Sequence, residues 1–536
     1  MIVKINNLAV RAYSISPQEK FIDQHLTPFI AQHLEVNEDR ILSYQILSKA
    51  VDSRRGAPSL VYSLTVMLHN HTDIRKGAGL ETDEENAEKL MTSKLEFPAA
   101  PAGLKNPLII GSGPAGLMAA LVLAQSGCEP VIVEGGGDVD RRRQDLDKFH
   151  RERAFNPESN YLLGEGGAGT FSDGKLYTGT KAPRAGFVMK TFVEAGAPEE
   201  ILYLKRPHIG SDKLPDMVRR IRERIEQAGG KFIFGSKVKE LIIKNNRCRG
   251  IISSEGERIE APAVIAAHGL GGRSLTDKLL EYGVEYALKA FQIGCRIEHP
   301  QAFVDENQYR MSPRPEWLGA AEYHLSSRGN DLRGLPGVSS FCMCPGGTIV
   351  PAGLETGHLS TNGMSRYARD GKFANSCLIV TQPTDMFGTP NQAYKFLRAL
   401  ENSAFELGGG DYTAPAQDAR AFVKGKMSLK NTETSYVFGL KPARLDKLLP
   451  ERTLQALISA LRSFDHKFHG FLKYGRIVGV ETFISSPVRF LRSADTLKSS
   501  VDRLYIAGEG AGYAGGIVSA ATDGIKIAEK MLGEKY

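Results

Sequence analysis

Gly111, Gly113 and Gly116 stand between an apolar run and a helical one in NPLIIGSGPAGLMAALVLAQ, residues 106–125. In a strand, turn and helix unit each glycine has a separate role. Gly111 makes the tight turn, Gly113 lets the backbone approach a pyrophosphate, and Gly116 lets the helix pack on the sheet. Pro114 and Ala115 open the helix, whose free N–H groups and positive dipole end suit phosphate. The next apolar run, VIVE, ends on Glu134. A carboxylate about 20 residues on accepts both hydroxyls of an adenosine ribose and repels a 2′-phosphate. The chemistry is the holding of a dinucleotide, and Ala120 and Gly127 extend the small-residue spacing.

A second group is FCMCPGGT, residues 341–348, with Cys342 and Cys344 one residue apart. On a strand both side chains face one side and Met343 the other. Such a pair can do redox or nucleophilic work, can supply half of a metal site, or can pack as two small apolar groups while Pro345, Gly346 and Gly347 bring the backbone close to a ligand. Zinc needs about four nitrogen or sulfur ligands, and no second cysteine pair or closely spaced histidine pair accompanies this one, so no metal site is expected. A bridge across one residue is strained and easily reduced. Asn362, Ser365 and Arg366 in TNGMSRYAR, and Arg489 in SSPVR, are candidates to anchor an anionic substrate, with structural ion pairs as the alternative.

The elements that must position these groups follow from pattern. IVKINNLAVRAY alternates like a strand, Ser16-Pro17-Gln18-Glu19 reads as a helix start running to about Val36, and SLVYSLTVMLH is a further strand, so residues 1–97 form a small α/β module. KLEFPAAPAGLKNP is a linker. GSKVKELIIKNNRCRGIISSEGERIEAPAVIAAHG, residues 235–269, reads as a β-meander ending in an apolar strand, and DRLYIAGEGAGYAGGI, residues 502–517, as strand, glycine turn and helix. VSSFCMC and CLIVTQ are strand-like runs in the region between.

At 536 residues about three domains are expected. A hydrophobic content of 42% with 24% charged residues excludes wholesale disorder and a membrane bundle. The formal net charge of +7 is spread out; Arg141, Arg142 and Arg143 form one short cluster, and Arg219, Arg220, Arg222 and Arg224 fall in MVRRIRERIEQAGG, which reads as a solvated helix face, so nucleic acid is not an expected partner. The six cysteines are scattered apart from the close pair, which excludes a secreted disulfide scaffold. No signal peptide or membrane span is read, and a cytoplasmic protein is expected.

Segments 107–135, 235–274 and 502–528 resemble the three FAD-binding stretches of the glutathione-reductase-like two-dinucleotide-fold flavoproteins, in the branch with an inserted substrate domain. With NYLLGEGGAGTFSDGKLYTGT, SFCMCPGGT, TNGMSRYARDGKFANS and AGEGAGYAGGI, the chain resembles over nearly its whole length a group of bacterial proteins labelled uncharacterised FAD-dependent, or NAD/FAD-utilising, dehydrogenases. The resemblance implies FAD as cofactor, with Glu509 beside Gly508 in the acidic place where Asp is usual, and Gly515, Gly516 and Ile517 at the entry of the helix aimed at the flavin. His268, before Gly269, stands where Thr is usual. It implies further FAD contacts from Gly166, Gly167, Ala168, Gly169, Thr170 and Ser172 in the glycine-rich loop, and from Arg142 and Val238. Beside Ser172 and Asp173, Lys175 would stabilise the charge that develops on a reduced flavin; the plainer alternative is a capped turn and a solvated lysine.

The expected architecture is α/β: a Rossmann-like FAD-binding domain from 99–280 plus 481–536, an inserted mixed α+β substrate or cap domain over 281–480, and the N-terminal module. The expected function is an FAD-dependent oxidoreductase, a dehydrogenase or reductase passing hydride through flavin N5 to or from a small molecule, with Lys175, Cys342 and Cys344 as catalytic candidates. Since 269-GLGGRS-274 is a poor second fingerprint, NADH or NADPH would be a transient donor. The rival readings are a flavoprotein that modifies tRNA and a non-catalytic flavin-holding protein that binds a partner, with a monooxygenase as a variant of the first class.

Overall fold

The computed structural model describes residues 1–16, 19, 22–54, 56–78, 80–82, 95–177, 182–327 and 334–536. Its N-terminal part is a four-stranded antiparallel sheet in the order Ile41–Asp52, Ser59–Leu68, Ile2–Arg11, Leu80–Thr82. Along Ile2–Arg11 the buried residues are Val3 and Ile5, then Leu8 and Val10, so the alternation slips by one. A one-residue slip would turn half the strand to the wrong face. A bulge between Ile5 and Leu8, with Asn7 at φ 60°, absorbs the extra residue and keeps all four in one core with Ile30 and Leu34. The helix bearing those two is Thr27–Leu34; of the expected start at Ser16, Pro17 and Gln18 lie outside the described residues.

This module docks through Asp23, whose carboxylate accepts from Lys49 Nζ at 2.6 Å, the Tyr62 hydroxyl at 2.7 Å and the Tyr203 hydroxyl at 3.3 Å. Backbone bonds of 2.9 Å from Lys49 N to Tyr203 O and from Lys205 N to Lys49 O complete the joint.

A five-stranded parallel sheet follows, ordered Leu504–Ile506, Val264–Ala266, Leu108–Ile110, Val131–Val133, Lys231–Ile233. Parallel strands are covered on both faces, which is why LII, VIA and LYI are buried throughout. The helix Pro114–Gln125 is buried from Ala115 to Ala124 and packs on Ile517–Leu532 so closely that a Cβ on Gly524 would lie 2.0 Å from Ala115 O. Leu214–Gln227 buries Met217, Val218, Ile221 and Ile225, while Arg219 pairs with Asp140, Arg222 with Glu165 and Arg224 with Glu194. That arginine row is thus a salt-bridged helix face. The meander is a three-stranded antiparallel sheet of Val238–Lys244, Arg247–Ser253 and Arg258–Glu260.

Between Val264–Ala266 and Leu504–Ile506 the chain builds a seven-stranded mixed sheet. Its order is Ser326–Ser327, Val338–Cys344, Phe373–Gln382, Phe291–Pro300, Arg476–Glu481, Ala414–Asp418, Leu440–Pro442. Both strand-like runs of the sequence fall in it. The helices Pro390–Gly408 and Glu451–Lys467 pack against this sheet. No helix among the described residues is long and apolar enough to cross a membrane.

The inserted sheet is tied to the parallel one by a buried fork: Arg273 donates to Glu401 at 3.0 and 2.7 Å, and Thr482 Oγ1 donates to the same carboxylate at 2.6 Å. Removing one partner leaves a buried charge uncompensated, at a cost of about 3–5 kcal/mol. Glu401→Ala is therefore expected to lower the unfolding free energy from urea titration by about that amount, while Arg143→Ala, at an exposed pair with Asp216, lowers it by less than ~1 kcal/mol; equal losses in the two variants would count against the fork.

Candidate functional site

The fingerprint turn has the geometry its spacing predicts. Gly111 sits at φ 97°, where a Cβ would lie 2.6 Å from Ala267 O, and a Cβ on Gly116 would lie 1.9 Å from Gly111 O. Gly113 differs: its backbone is ordinary, φ −71° and ψ −178°, and a Cβ there meets no protein atom within 4 Å. Neither backbone strain nor the protein's own packing asks for glycine at this position. The missing side chain leaves open a cradle at the N-terminus of Pro114–Gln125, the place a pyrophosphate occupies in such units, so the residues present fit a dinucleotide. Glu134 is held by Ser112 N at 2.9 Å, Ser112 Oγ at 2.7 Å and Gly136 N at 3.0 Å. Ser112 takes both lone pairs of Oε2, and Oε1, bonded only to Gly136 N, keeps one for a ribose hydroxyl.

Around this turn lies a cavity of about 840 Å³. Of the residues singled out in the sequence, Gly111, Gly113, Pro114, Ala115, Glu134 and Val238 border it, as do Gly167, Ala168, Gly169, Ser172 and Lys175 from the glycine-rich loop. Gly269, Gly508, Glu509, Gly515, Gly516, Ile517 and Cys342 complete that set. Gly116, Arg142, Gly166, Thr170 and Cys344 do not border it. Gly116 is the helix-packing glycine. Arg142 is a correction: fully buried behind the loop, it donates to Asn160 O at 2.7 Å, Glu165 O at 2.6 Å and Gly167 O at 3.0 Å, and its guanidinium lies over the Phe171 ring. It positions the loop backbone. Thr170 Oγ1 likewise donates to Glu165 O at 2.8 Å, and Gly166 leaves room for that hydroxyl.

Glu509 accepts from Ser486 N at 2.9 Å with Lys289 Nζ 3.6 Å away, and burial raises its carboxyl above the usual range. The turn before it is held by Asp523, which accepts from Gly508 N at 2.9 Å and pairs with Arg492; sequence reasoning missed this acid. His268 borders the cavity as a neutral ring, lowered to about 4 by burial, with Nε2 3.0 Å from Thr276 Oγ1.

Where the glycine-rich loop meets the inserted sheet, Lys175 is 13% exposed at its side chain and held by an ion pair rather than freely solvated. Its ammonium contacts Asp173, which also binds Arg369 at 2.8 Å, and reaches Cys344 Sγ at 3.6 Å and Cys342 Sγ at 4.0 Å. Burial opposes the ammonium, but Asp173 and the two sulfurs outweigh it and raise Lys175 above its ordinary value. Asp173 is held below the usual carboxylate range by Lys175 and Arg369 against its own burial. His208 is lowered by burial and by Arg369, and so is neutral. Nearby, Arg206 pairs with Glu322 at 2.6 Å and Arg296 contacts Glu481 at 2.5 Å. Lys175 and Arg369 against Asp173 leave one buried positive charge without a carboxylate.

The cysteine pair departs from a regular strand. Val338–Cys344 bulges between Phe341 and Cys344, and Cys342 lies at φ 48°, so the expected alternation with Met343 facing away is corrected: Cys342 and Met343 both border the cavity, and Cys344 lies behind them, fully buried. Gly346 and Gly347 do not approach the cavity either; a Cβ on them would strike Arg369 O at 2.0 Å and Met364 O at 2.6 Å. A hydrogen bond from Cys344, then Lys175 and Arg296, hold Cys342 well below the usual thiol range. Cys344 is raised well above it. Of the proposed anion anchors, only Asn362 borders the cavity, and it accepts from Arg296 at 2.8 Å. Ser365 donates to Pro345 O at 2.8 Å, Arg366 is exposed, and Arg489 donates to Gly512 O at 3.3 Å. Glu481, which sequence reasoning missed, borders the cavity and is pushed up to about 7 by burial despite Arg296.

Two measurements follow. Gly113→Ala adds a methyl only to the open cradle, so FAD affinity is expected to fall about 10–100-fold, the size of a 1–3 kcal/mol steric penalty, with unchanged thermal stability of the FAD-free protein; unaltered affinity would place the ligand elsewhere. Iodoacetamide at pH 7 is expected to label Cys342 first, since burial raises Cys128 and Cys248 to about 11 and Cys295 to about 12, and Lys175→Met is expected to slow that labelling. Peptide mapping that finds label spread evenly over the six cysteines would contradict the assigned thiolate.

Residues 106–284 match the FAD binding domain family, and residues 290–483 match the family described as FAD-dependent protein, C-terminal domain-like. An uncharacterized protein of Clostridium beijerinckii is 38% identical over 100% of this chain and 99% of its own. Solved structures show distant likeness: a flavin-dependent brominase at 11% identity and TM-score 0.38, covering 80% of each chain, and glycine oxidase from Bacillus cereus at 12% and 0.36, covering 81% of this chain and 98% of that one. A geranylgeranyl bacteriochlorophyll reductase-like protein from Thermoplasma acidophilum gives 12% and 0.35, covering 80% and 78%. Full-length identity at that level, with the two matches laid end to end, means that the chain belongs with the Clostridium protein to one family of FAD-dependent proteins, and its cofactor is FAD.

Proposed function

We propose that the protein is an FAD-dependent oxidoreductase, a dehydrogenase or reductase that moves a hydride between FAD and a small molecule bound against the inserted-sheet wall of the cavity. The observation that carries this reading is the surplus buried cation at Lys175, which borders the same cavity as the fingerprint glycines. FAD, when bound, supplies hydride donation and acceptance at N5. The chain's own residues supply position and field. Lys175 keeps its proton and offers fixed positive charge in a site screened little by water, where such charge acts most strongly on developing negative charge. Ser172 donates to Gly169 O at 2.8 Å and accepts from Gly174 N at 3.0 Å, which fixes the loop that carries Lys175. Phe341 and Met343 give the wall an apolar surface, and Tyr177 and Arg206, both bonded to Glu322, give it a polar edge.

Among the described residues, a pyridine nucleotide has no separate cradle in this reading. In GLGGRS, a Cβ on Gly271 would lie 2.7 Å from Leu163 and one on Gly272 2.6 Å from His268, and the run borders the FAD cavity itself. NADH or NADPH would therefore meet the open edge near Tyr177 and leave again.

The test is an anaerobic titration of the FAD-loaded protein with NADH and with NADPH, followed by stopped-flow. One nucleotide is expected to bleach the flavin, and Lys175→Met to slow that reduction ~100-fold, comparable with removal of one preorganised donor. Arg369 still neutralises Asp173 in that variant, so the fold is expected to persist. A flavin that neither nucleotide reduces, or a rate indifferent to Lys175, would overturn this reading.

A further inference from the structure

The surplus positive charge and the broken strand point to one arrangement. A regular pleat would hold the side chains of residues 342 and 344 parallel and about 6.6 Å apart. Instead the left-handed backbone at Cys342 and the bulge gather both sulfurs around one ammonium, at 4.0 and 3.6 Å. A non-glycine residue at positive φ is strained and persists where its surroundings hold it; here Arg296 donates to the Cys342 carbonyl at 3.0 Å and Cys344 Sγ lies 3.3 Å from the same oxygen. Two thiols packed as small apolar groups would need neither the strained backbone nor a buried cation at their sulfurs. Their positions also differ in a useful way: Cys342 borders the cavity and Cys344 is sealed behind it.

We propose that Cys342 and Cys344 are a redox-active dithiol that exchanges an electron pair with FAD, Cys342 being the cavity-facing sulfur and Cys344 its resolving partner. The proposal deepens the oxidoreductase reading and rests on it. In the reductive direction the Cys342–Cys344 sulfur–sulfur bond breaks as it takes two electrons from reduced FAD, which returns to the oxidised form. The one proton that reduced FAD gives up ends on Cys344 Sγ, and Cys342 Sγ remains a thiolate against Lys175. The reverse step forms the bond and reduces FAD. Lys175, with Arg369 and Asp173 unchanged, is neutralised only in the dithiol state, so the buried charge favours the reduced pair and marks the disulfide as an oxidising one. The other four cysteines, all buried, do not border the cavity and serve as internal controls.

The test uses the full chain loaded with FAD. After diamide treatment, alkylation under denaturing conditions and peptide mapping are expected to show the peptide spanning Cys342 and Cys344 unalkylated and lighter by two hydrogens, with the other four cysteines labelled. Anaerobic dithionite titration of the oxidised protein is expected to consume four electron equivalents, and two in Cys342→Ser or Cys344→Ser. Full alkylation of the pair after diamide, or a wild-type titration complete at two equivalents, would overturn the dithiol. Mapping and wild-type titration need no variant to fold. Dithionite also bypasses any nucleotide donor, so flavin reducible by dithionite but by neither NADH nor NADPH would sink the donor reading while leaving the count of equivalents to judge the dithiol.

Discussion

A buried ammonium must be met by negative charge, and this requirement organises the centre of the molecule. Lys175 and Asp173 come from the glycine-rich loop; Cys342 and Cys344 come from the strand Val338–Cys344 of the inserted sheet, and Arg369 from the turn that precedes its strand Phe373–Gln382. Asp173 serves both sides, pairing with Lys175 of its own loop and with Arg369 across the joint, and its removal would leave both cations without a carboxylate. The cluster therefore closes the joint between the two sheets at the point where the cavity passes between them. The Arg273–Glu401 fork closes another point of that joint with charges that cancel in full. At Lys175 they do not cancel, and the difference between the two pairs separates a structural tie from a site with chemistry left over.

The same logic gives the N-terminal module a place. It grips Tyr203 and Lys205 through Asp23 and the Lys49 backbone, and a few residues on, His208 bridges the Lys175 backbone while Leu176 N donates to Pro207 O at 3.0 Å. The module thus braces from outside the strip of chain against which the lysine-bearing loop is laid. Its sheet is a support for the site, two contacts removed from it.

Much of the nucleotide half was legible because its signals are local. The role of each fingerprint glycine follows from its neighbours within a few residues, and the meander and terminal strand-turn-helix were readable from alternation and glycine alone. The cluster at Lys175 was not, for two reasons. The partner of Asp173 lies 196 residues away in Arg369, inside a segment whose Arg366 was the more obvious candidate by position. And VSSFCMC reads as a plain strand, because nothing in its residue types announces that the backbone turns left-handed at Cys342. Arg142, expected as an FAD contact from the resemblance, instead spends its donors on carbonyl oxygens that shape the glycine-rich loop, a use that its residue type does not reveal.

Thiolate and cation at this site are one electrostatic fact seen from two sides. A hydrogen bond from Cys344, then the charges of Lys175 and Arg296, lower Cys342 against its burial, while Asp173 first and then the two sulfurs raise Lys175. Any other anion brought to the same wall, whether a reduced cofactor ring or a bound substrate group, competes for that charge and must push a proton back toward the sulfur. Glu481, which burial raises to about 7 despite Arg296, borders the same cavity. In the proposed dithiol, redox state, thiol ionisation and anion binding would thus be linked through the ammonium of Lys175, each shifting the other two.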